Sequence, residues 1–233
     1  DFCLCIITSN DQLNRQIMAK KIMLHEFLRL DNAFLDSTIT SALRKYIVKE
    51  KLLINGTINE HSLKTLIDDI HRIDQETENL VNLLTINEIG TIEDNRRAVP
   101  LLKNIDIKLS SGGGASSAGF AMHDIIADLP YNVSITATGW CMSAAIIVLL
   151  AARERYATEN TSFMIHGGQT MIFGKLPEIQ NSLDFYNLEE LKFKTIISAK
   201  TKMSTEELDS IFSSGKDYFF MLDKAKEIGL ITK

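Results

Sequence analysis

Cysteine is scarce in this chain, and its scarcity bears on two kinds of site. Among the 233 residues there are three cysteines: Cys3, Cys5 and Cys141. They do not form a disulfide framework, so we expect a reducing compartment. Our prediction is the cytoplasm, which would be the host cytoplasm for a viral protein, with an organelle matrix left open. Cys3 and Cys5 are too few for a zinc site, and no histidine-rich cluster completes one, so no metal is expected.

Long apolar runs and an excess of positive charge are also missing. No segment reaches the ~18 uninterrupted apolar residues of a membrane span. A net charge of −5 argues against a nucleic-acid binder that works through a basic face. Hydrophobic residues make up 45% and charged residues 24%, which excludes a long disordered chain. The sequence begins with Asp1, and the apolar run 2–8 has no basic segment ahead of it, unlike a signal peptide.

Residues 1–50 are predicted to form a helical N-terminal extension. Ser9 followed by Gln12 resembles a capping box, and a second helical stretch runs from about 37 to 49. Four apolar residues then share one helical face: Leu13, Ile17, Leu24 and Leu28. We interpret the segment as solvated amphipathic helices, with an interaction element as the alternative.

From residue 51 onward, short apolar runs alternate with helical periodicity, which predicts an α/β fold with a largely parallel sheet. Strands are predicted at 51–55, 105–109, 133–137, 155–157 and 163–166, and helices at 60–74, 116–128 and 143–152. Residues 75–100 are polar and weakly patterned, so we expect an insertion or long loop there. Pro177 suits the first turn of a long helix over about 177–200. That helix is apolar on more than one side and must therefore be buried. We expect that another subunit can bury it.

Three short motifs can carry chemistry. Gly112–Gly114 follows a strand and precedes a helix, so its backbone N–H groups can point at a ligand; no Walker lysine follows. Ser143 ends Gly139-Trp140-Cys141-Met142-Ser143 at a strand-to-helix turn, a position suited to a nucleophile. His166 ends a strand at a loop edge, where bases are common. Each motif also has a plainer interpretation: a tight turn, a helix N-cap and a structural histidine.

Taken together, these motifs resemble the ClpP family of serine peptidases, peptidase family S14. The family pattern Asn-Ser-Pro-Gly-Gly resembles residues 110–114, Gly-x-Ala-Ala-Ser-Met-Gly resembles 139–145, and Pro-Asn-Ser-x-x-Met-Ile-His resembles 159–166. Segments 53–58, 202–208, 216–219 and 224–231 resemble further family segments, so the likeness covers about 50–233. The implied organisation is a helical extension at 1–50 and a peptidase domain at 51–233, interrupted by the insertion. Such a divergent member fits a phage or organellar protein.

The resemblance implies the ClpP/crotonase fold, with stacked ββα/βαβ units and a protruding handle helix at about 177–200. By position, Ser143 would be the nucleophile, His166 the base and Asp217 the orienting acid. The backbone N–H groups of Gly114 and Ala144 would form the oxyanion hole. Among nearby carboxylates, Asp217 is preferred because Tyr218-Phe219 match the family's register; Asp209 and Asp223 are interpreted as solvated helix charges.

The implied activity is hydrolysis of peptide bonds in unfolded polypeptides through an acyl-enzyme, without cofactor or metal. The implied partners are other ring subunits, as two stacked seven-membered rings of one or mixed chains, and an ATP-driven AAA+ unfoldase of the Clp type. Neither nucleic acid nor membrane is expected as a partner. Departures from the family pattern are Gly112 for proline, Ala144-Ala145 for Met-Gly and Gly167-Gly168 for Gln-Pro. Three alternatives stay open: a catalytically silent ring subunit, a phage head-maturation protease and a crotonase-type acyl-CoA enzyme.

Overall fold

The computed structural model describes residues 37–233. The helical pattern expected before residue 37, with its capping box, lies outside the described residues. The elements, in chain order, are α1 Ser37–Tyr46, β1 Glu50–Asn55, α2 Glu60–Ile86, α3 Ile92–Ala98, β2 Asn104–Ser111, α4 Ser116–Asp128, β3 Asn132–Met142, α5 Ala144–Leu150, β4 Glu154–Ala157, β5 Ser162–Ile165, α6 Leu176–Lys200, α7 Thr205–Ser213, β6 Tyr218–Phe220 and α8 Leu222–Glu227. None of these helices is long and apolar enough to cross a membrane.

Six strands form one sheet in the order β1-β2-β3-β5-β6, and β4 also pairs with β3. β3 is parallel to both β4 and β5, whereas β6 is antiparallel to β5. In β2 the alternate residues Ile105, Ile107 and Leu109 are completely buried, as the two-residue period of a strand requires. The predicted α/β class is therefore confirmed, with an antiparallel edge strand added to the parallel pairs.

The described chain divides into two compact units. The first comprises residues 37–50, 67–105 and 130–132, and the second comprises 51–66, 106–129 and 133–233. The first unit has its own apolar core: Ile39, Leu43, Tyr46, Leu80, Val81, Leu84, Val99 and Leu102. In the second unit every residue of α5 is buried, which makes that helix a central part of its core. The three motifs that can carry chemistry, at 112–114, 139–143 and 166, belong to the second unit.

The expectation of a long loop at 75–100 was wrong, whereas the alternative of an insertion stays a prediction. Residues 75–86 continue α2, a helix of 27 residues, and α3 follows after a short turn in which Thr91 accepts a hydrogen bond from the Asp94 N–H. The apolar helical periodicity is hard to recognise in the sequence because one core position of α2 is a threonine. The buried Thr77 hydroxyl lies 2.8 Å from the Tyr46 hydroxyl and 3.1 Å from that of Tyr131. Those partners satisfy a polar group that would otherwise be costly to bury.

The long helix predicted at 177–200 is present as α6, with proline in its first turn. The Glu178 carboxylate accepts a hydrogen bond from the Lys175 N–H and so caps the helix. Residues 37–233 leave this helix largely uncovered, because Ile197 is its one buried residue. Four large apolar side chains on it are between 40% and 60% exposed: Leu183, Phe185, Leu188 and Leu191. Cover by another subunit stays a prediction.

Candidate active site

Three strands begin or end at one edge of the sheet. Because β3 and β5 are parallel neighbours, the residues that follow them, Ser143 and His166, emerge at the same edge. β6 runs the opposite way, and its first residue Tyr218 lies opposite Ile165, the last residue of β5. Asp217 therefore stands beside His166. Strand direction alone brings together three side chains that are up to 74 positions apart in sequence.

The three side chains contact one another in series, with His166 in the middle. His166 Nε2 lies 2.8 Å from Ser143 Oγ. The other ring nitrogen, Nδ1, lies 3.3 Å from Asp217 Oδ1. With the ring proton on Nδ1 facing the carboxylate, Nε2 is free to accept the serine O–H. The histidine side chain is 17% exposed and the aspartate 45%, so the carboxylate occupies the rim of the site.

Ser143 has an unusual backbone. Its φ is 52° and its ψ is −124°, and its side chain makes no capping hydrogen bond to α5. The interpretation of Ser143 as a simple N-cap is therefore not supported. β3 also continues to Met142, beyond the predicted strand at 133–137, so the serine follows the strand directly. Its N–H donates to the Met164 carbonyl at 2.9 Å, which fixes the strained turn against β5.

The glycine loop contacts this turn closely. At Gly113, where φ is 99°, an added Cβ would lie 2.7 Å from the Cβ of Ser143 and 2.9 Å from the Met142 carbonyl oxygen. No side chain fits in that space. Glycine is thus required here for two reasons, its positive φ and the approach of the nucleophile.

Two backbone N–H groups remain open beside the serine. Ile58 holds the loop, since its N–H donates to the Gly113 carbonyl at 2.9 Å and its carbonyl accepts from Ala115 at 2.8 Å. Within residues 37–233, no acceptor lies in hydrogen-bond range of the N–H of Gly114 or Ala144. Both residues line the same cleft as Ser143. These are the two positions expected for an oxyanion hole.

Comparison with known proteins identifies the family and the fold. The family model described as Clp protease matches residues 97–233. The chain belongs to the Clp protease family. Its structure is similar to that of a ClpP1 mutant from Listeria monocytogenes, with a TM-score of 0.55 and 23% sequence identity over 81% of this chain and 92% of that chain. The predicted family and ClpP-type fold are confirmed, and the chain is a ClpP-like member of peptidase family S14.

Alanine at 144, where the family pattern has methionine, lies in a tightly packed contact between two helices. Ala144 follows the serine and is 1% exposed. Its Cβ would lie 3.2 Å from a Cβ added to Gly119 of α4, so α4 and α5 approach closely here. A backbone N–H is present whatever the side chain, so alanine keeps the donor that the Clp motif places at this position.

Ser143 and His166 open into a cleft of about 460 Å³. The cleft includes residues that sequence reasoning missed, which α6 supplies at helical spacing: Tyr186, Glu189, Glu190 and Phe193. Their spacing places these side chains on one face of α6, but it does not show that this face meets the cleft. Tyr186 fixes the helix to the loop after His166, since its hydroxyl donates to the Gly168 carbonyl.

The buried cysteine near the serine takes no part in this arrangement. Cys141 is fully buried in β3, and its Sγ lies 3.6 Å from the Ala145 carbonyl oxygen. Burial raises the pKa of the thiol, which disfavours the reactive thiolate. No group of three or more His, Cys, Asp or Glu side chains is arranged to hold a metal ion anywhere from residue 37 to 233.

Proposed function

We propose that this chain is a serine endopeptidase subunit in which Ser143 attacks the peptide carbonyl carbon. The observation that carries the proposal is the 2.8 Å contact between Ser143 Oγ and His166 Nε2. A serine hydroxyl is a poor nucleophile until a base takes its proton, and in this proposal His166 is that base. Asp217, at 3.3 Å from Nδ1, would hold the ring in the required tautomer and stabilise the imidazolium.

The reaction would proceed in two halves. As the Ser143 oxygen bonds to the carbonyl carbon, its proton passes to His166 and the oxyanion accepts hydrogen bonds from Gly114 and Ala144. The C–N bond then breaks, the amine leaves with the proton from His166, and an acyl-enzyme remains. Water, deprotonated by the same histidine, hydrolyses the ester and restores the serine. No cofactor or metal is required by these steps.

We further propose that the substrate is an unfolded polypeptide, cleaved inside an oligomeric chamber fed by an AAA+ unfoldase. Membership of the Clp protease family supports this assignment. The exposed apolar side chains of α6 provide a surface on which subunits can pack. The sequence has no Walker motif, so ATP would be hydrolysed by the partner. We propose two stacked seven-membered rings as the assembly.

The decisive test is fluorophosphonate labelling of the assembled protein, followed by intact-mass spectrometry. We expect one adduct on the wild type, none on S143A, and a loss of labelling on H166A, because the serine and its base act as a unit. D217N should label about 10²–10⁴-fold more slowly, since the ring would lose the carboxylate that orients it. D223N is the matched control, an exposed aspartate a few residues away that should label like the wild type.

An assembled wild type that forms no adduct would contradict the proposal. The chain would then be a catalytically silent ring subunit, and its role would be structural or in docking partners. An adduct that persists in S143A would place the reactive group elsewhere and would equally remove Ser143 from the mechanism.

A further inference from the structure

The wall that α6 contributes to the cleft carries both charge and apolar surface. Glu189 and Glu190 each lie three or four residues from both Tyr186 and Phe193, so the four side chains share one face of the helix. All four line the cleft that contains Ser143 and His166. A substrate held at the serine therefore meets this face directly.

The two carboxylates on that face differ in their partners. Glu190 Oε1 lies 3.3 Å from Lys194 Nζ, which is also 2.6 Å from Asp209. Glu189 Oε2 instead accepts a hydrogen bond from Ser116 Oγ at 2.6 Å, and no cationic group between residues 37 and 233 forms an ion pair with it. Glu189 thus presents a half-buried carboxylate that is fixed by Ser116 and that no cation of the described residues pairs with.

Aromatic rings line the same cleft as this carboxylate. Phe193 and Phe212 both line it, with ring centroids 6.3 Å apart. Phe193 is fixed from behind by Phe120 at 5.6 Å in an edge-to-face arrangement. The cleft therefore combines an apolar wall, suited to a methylene stem, with an anionic group that can take a cationic tip.

We propose that this cleft selects substrates with lysine or arginine on the acyl side of the scissile bond, and that Glu189 is the specificity-determining residue. The inference rests on the proposed peptidase function. Ser143, Gly114, Ala144 and Glu189 all line one cleft, so a peptide whose carbonyl is held between Ser143 and the two N–H groups would place its acyl-side residue in that cleft. Lysine and arginine are the side chains that join a three- or four-carbon stem to a permanent positive charge.

The test compares two fluorogenic peptides that differ only in the acyl-side residue, arginine in one and its neutral isostere citrulline in the other. We expect the wild type to favour arginine by about tenfold or more in kcat/KM, because the carboxylate would lose a charged partner in the citrulline complex. E189Q keeps an acceptor for the Ser116 hydroxyl but removes the charge, so its ratio should fall to about one. D184N, on an exposed part of the same helix, is the matched control and should keep the wild-type ratio.

Fluorophosphonate labelling separates failure of this inference from failure of the proposed function. Normal wild-type labelling with an arginine-to-citrulline ratio near one would overturn the specificity and leave the peptidase intact, and this result requires no variant to fold. E189Q that cleaves both peptides more slowly by the same factor, so that it keeps the wild-type preference for arginine, would make Glu189 a tether between α6 and α4 and would also overturn the inference. Absence of both labelling and cleavage in the assembled wild type would reject the proposed function and the specificity together.

Discussion

At the residue scale, Gly113 is the position where sequence most directly controls the nucleophile. Its φ of 99° and the 2.7 Å from a would-be Cβ to the Ser143 Cβ leave room for hydrogen alone. We predict that G113A displaces the serine turn and slows fluorophosphonate labelling by about 100-fold or more, since small misplacements of reacting groups are costly.

The matched control for this prediction is Gly56. Its φ is also positive, at 84°, yet an added Cβ would meet nothing within 4 Å. G56A should therefore cost about 1–2 kcal/mol of stability through backbone strain and leave labelling unchanged. Equal labelling of G113A and G56A would show that the glycine loop does not constrain the serine.

The sequence indicated much of the site at the residue scale. Ser143 and His166 were both predicted at or just after the ends of strands, and parallel strands place their carboxyl ends at one edge of the sheet. The strand pattern and the family resemblance therefore pointed to the same two residues. Glu189 was missed for a physical reason. Its hydrogen bond to Ser116 joins residues 73 positions apart, and periodicity along α6 does not reveal which face meets the cleft.

At the element scale, a buried lysine ties together parts of the first unit. Lys103 is 2% exposed, and its Nζ lies 3.4 Å from carboxylate oxygens of both Glu50 and Glu76. Burial alone would raise the pKa of Glu50, but the hydrogen bonds and charges of Arg72 and Lys103 outweigh it and hold that pKa below 4.5. A carboxyl whose pKa is lowered by folding stabilises the folded state above its ordinary pKa, and the contribution is lost as pH falls through the lowered value.

We therefore predict that acidification from about pH 5 to pH 3 lowers Tm, and that E50Q reduces the slope of Tm against pH. The measurement is differential scanning calorimetry across this range. E159Q, which changes an exposed loop glutamate, should retain the wild-type slope. Identical slopes for E50Q and the wild type would remove Glu50 from the acid response.

A second feature at this scale is the guanidinium of Arg155, which binds the backbone of residues 229–230, here called the C-terminal segment. Arg155 of β4 is 5% exposed and donates to carbonyls from three separate parts of the second unit. The acceptors are Ala152 at 2.9 Å, Lys200 at 3.1 Å, Gly229 at 2.8 Å and Leu230 at 2.8 Å. Burial lowers the pKa of this guanidinium, while its carbonyl partners occupy its donors.

We predict that R155M lowers the free energy of unfolding by about 3 kcal/mol or more, because several buried carbonyls lose their donor at once. Urea denaturation measures the change. R153M, two residues earlier on an exposed position, should stay within about 0.5 kcal/mol of the wild type. A similarly small effect of R155M would mean that the C-terminal segment is held by its apolar contacts alone.

The elements that the sequence misassigned share one cause, which is tertiary context. Residues 75–86 are helical although Thr77 interrupts the apolar period, because two tyrosine hydroxyls satisfy the threonine inside the core. Residues 138–142 extend β3 despite Gly139, because Trp140–Met142 pair with β5. The local sequence pattern reveals neither the tyrosine partners of Thr77 nor the pairing of β3 with β5.

At the scale of the whole molecule, α6 is the helix that residues 37–233 leave largely uncovered. Leu183, Phe185, Leu188 and Leu191 would be costly to leave in water as a group, and such surfaces mark sites of association. We predict that the wild type elutes as a large assembly in size-exclusion chromatography with light scattering. L188K combined with L191K should shift the mass to smaller species, because burying two unpaired lysines in an interface opposes assembly.

N187K provides the control for that experiment, since it adds a lysine at an exposed polar position of the same helix and should leave the assembly intact. Ser143, His166 and Asp217 all come from one chain, so the contacts that carry the proposed chemistry do not themselves require a second copy. Assembly and chemistry are therefore separable by measurement. A wild type that stays monomeric at high concentration would contradict association through α6, whereas an unchanged mass for the double variant would move the interface to another surface.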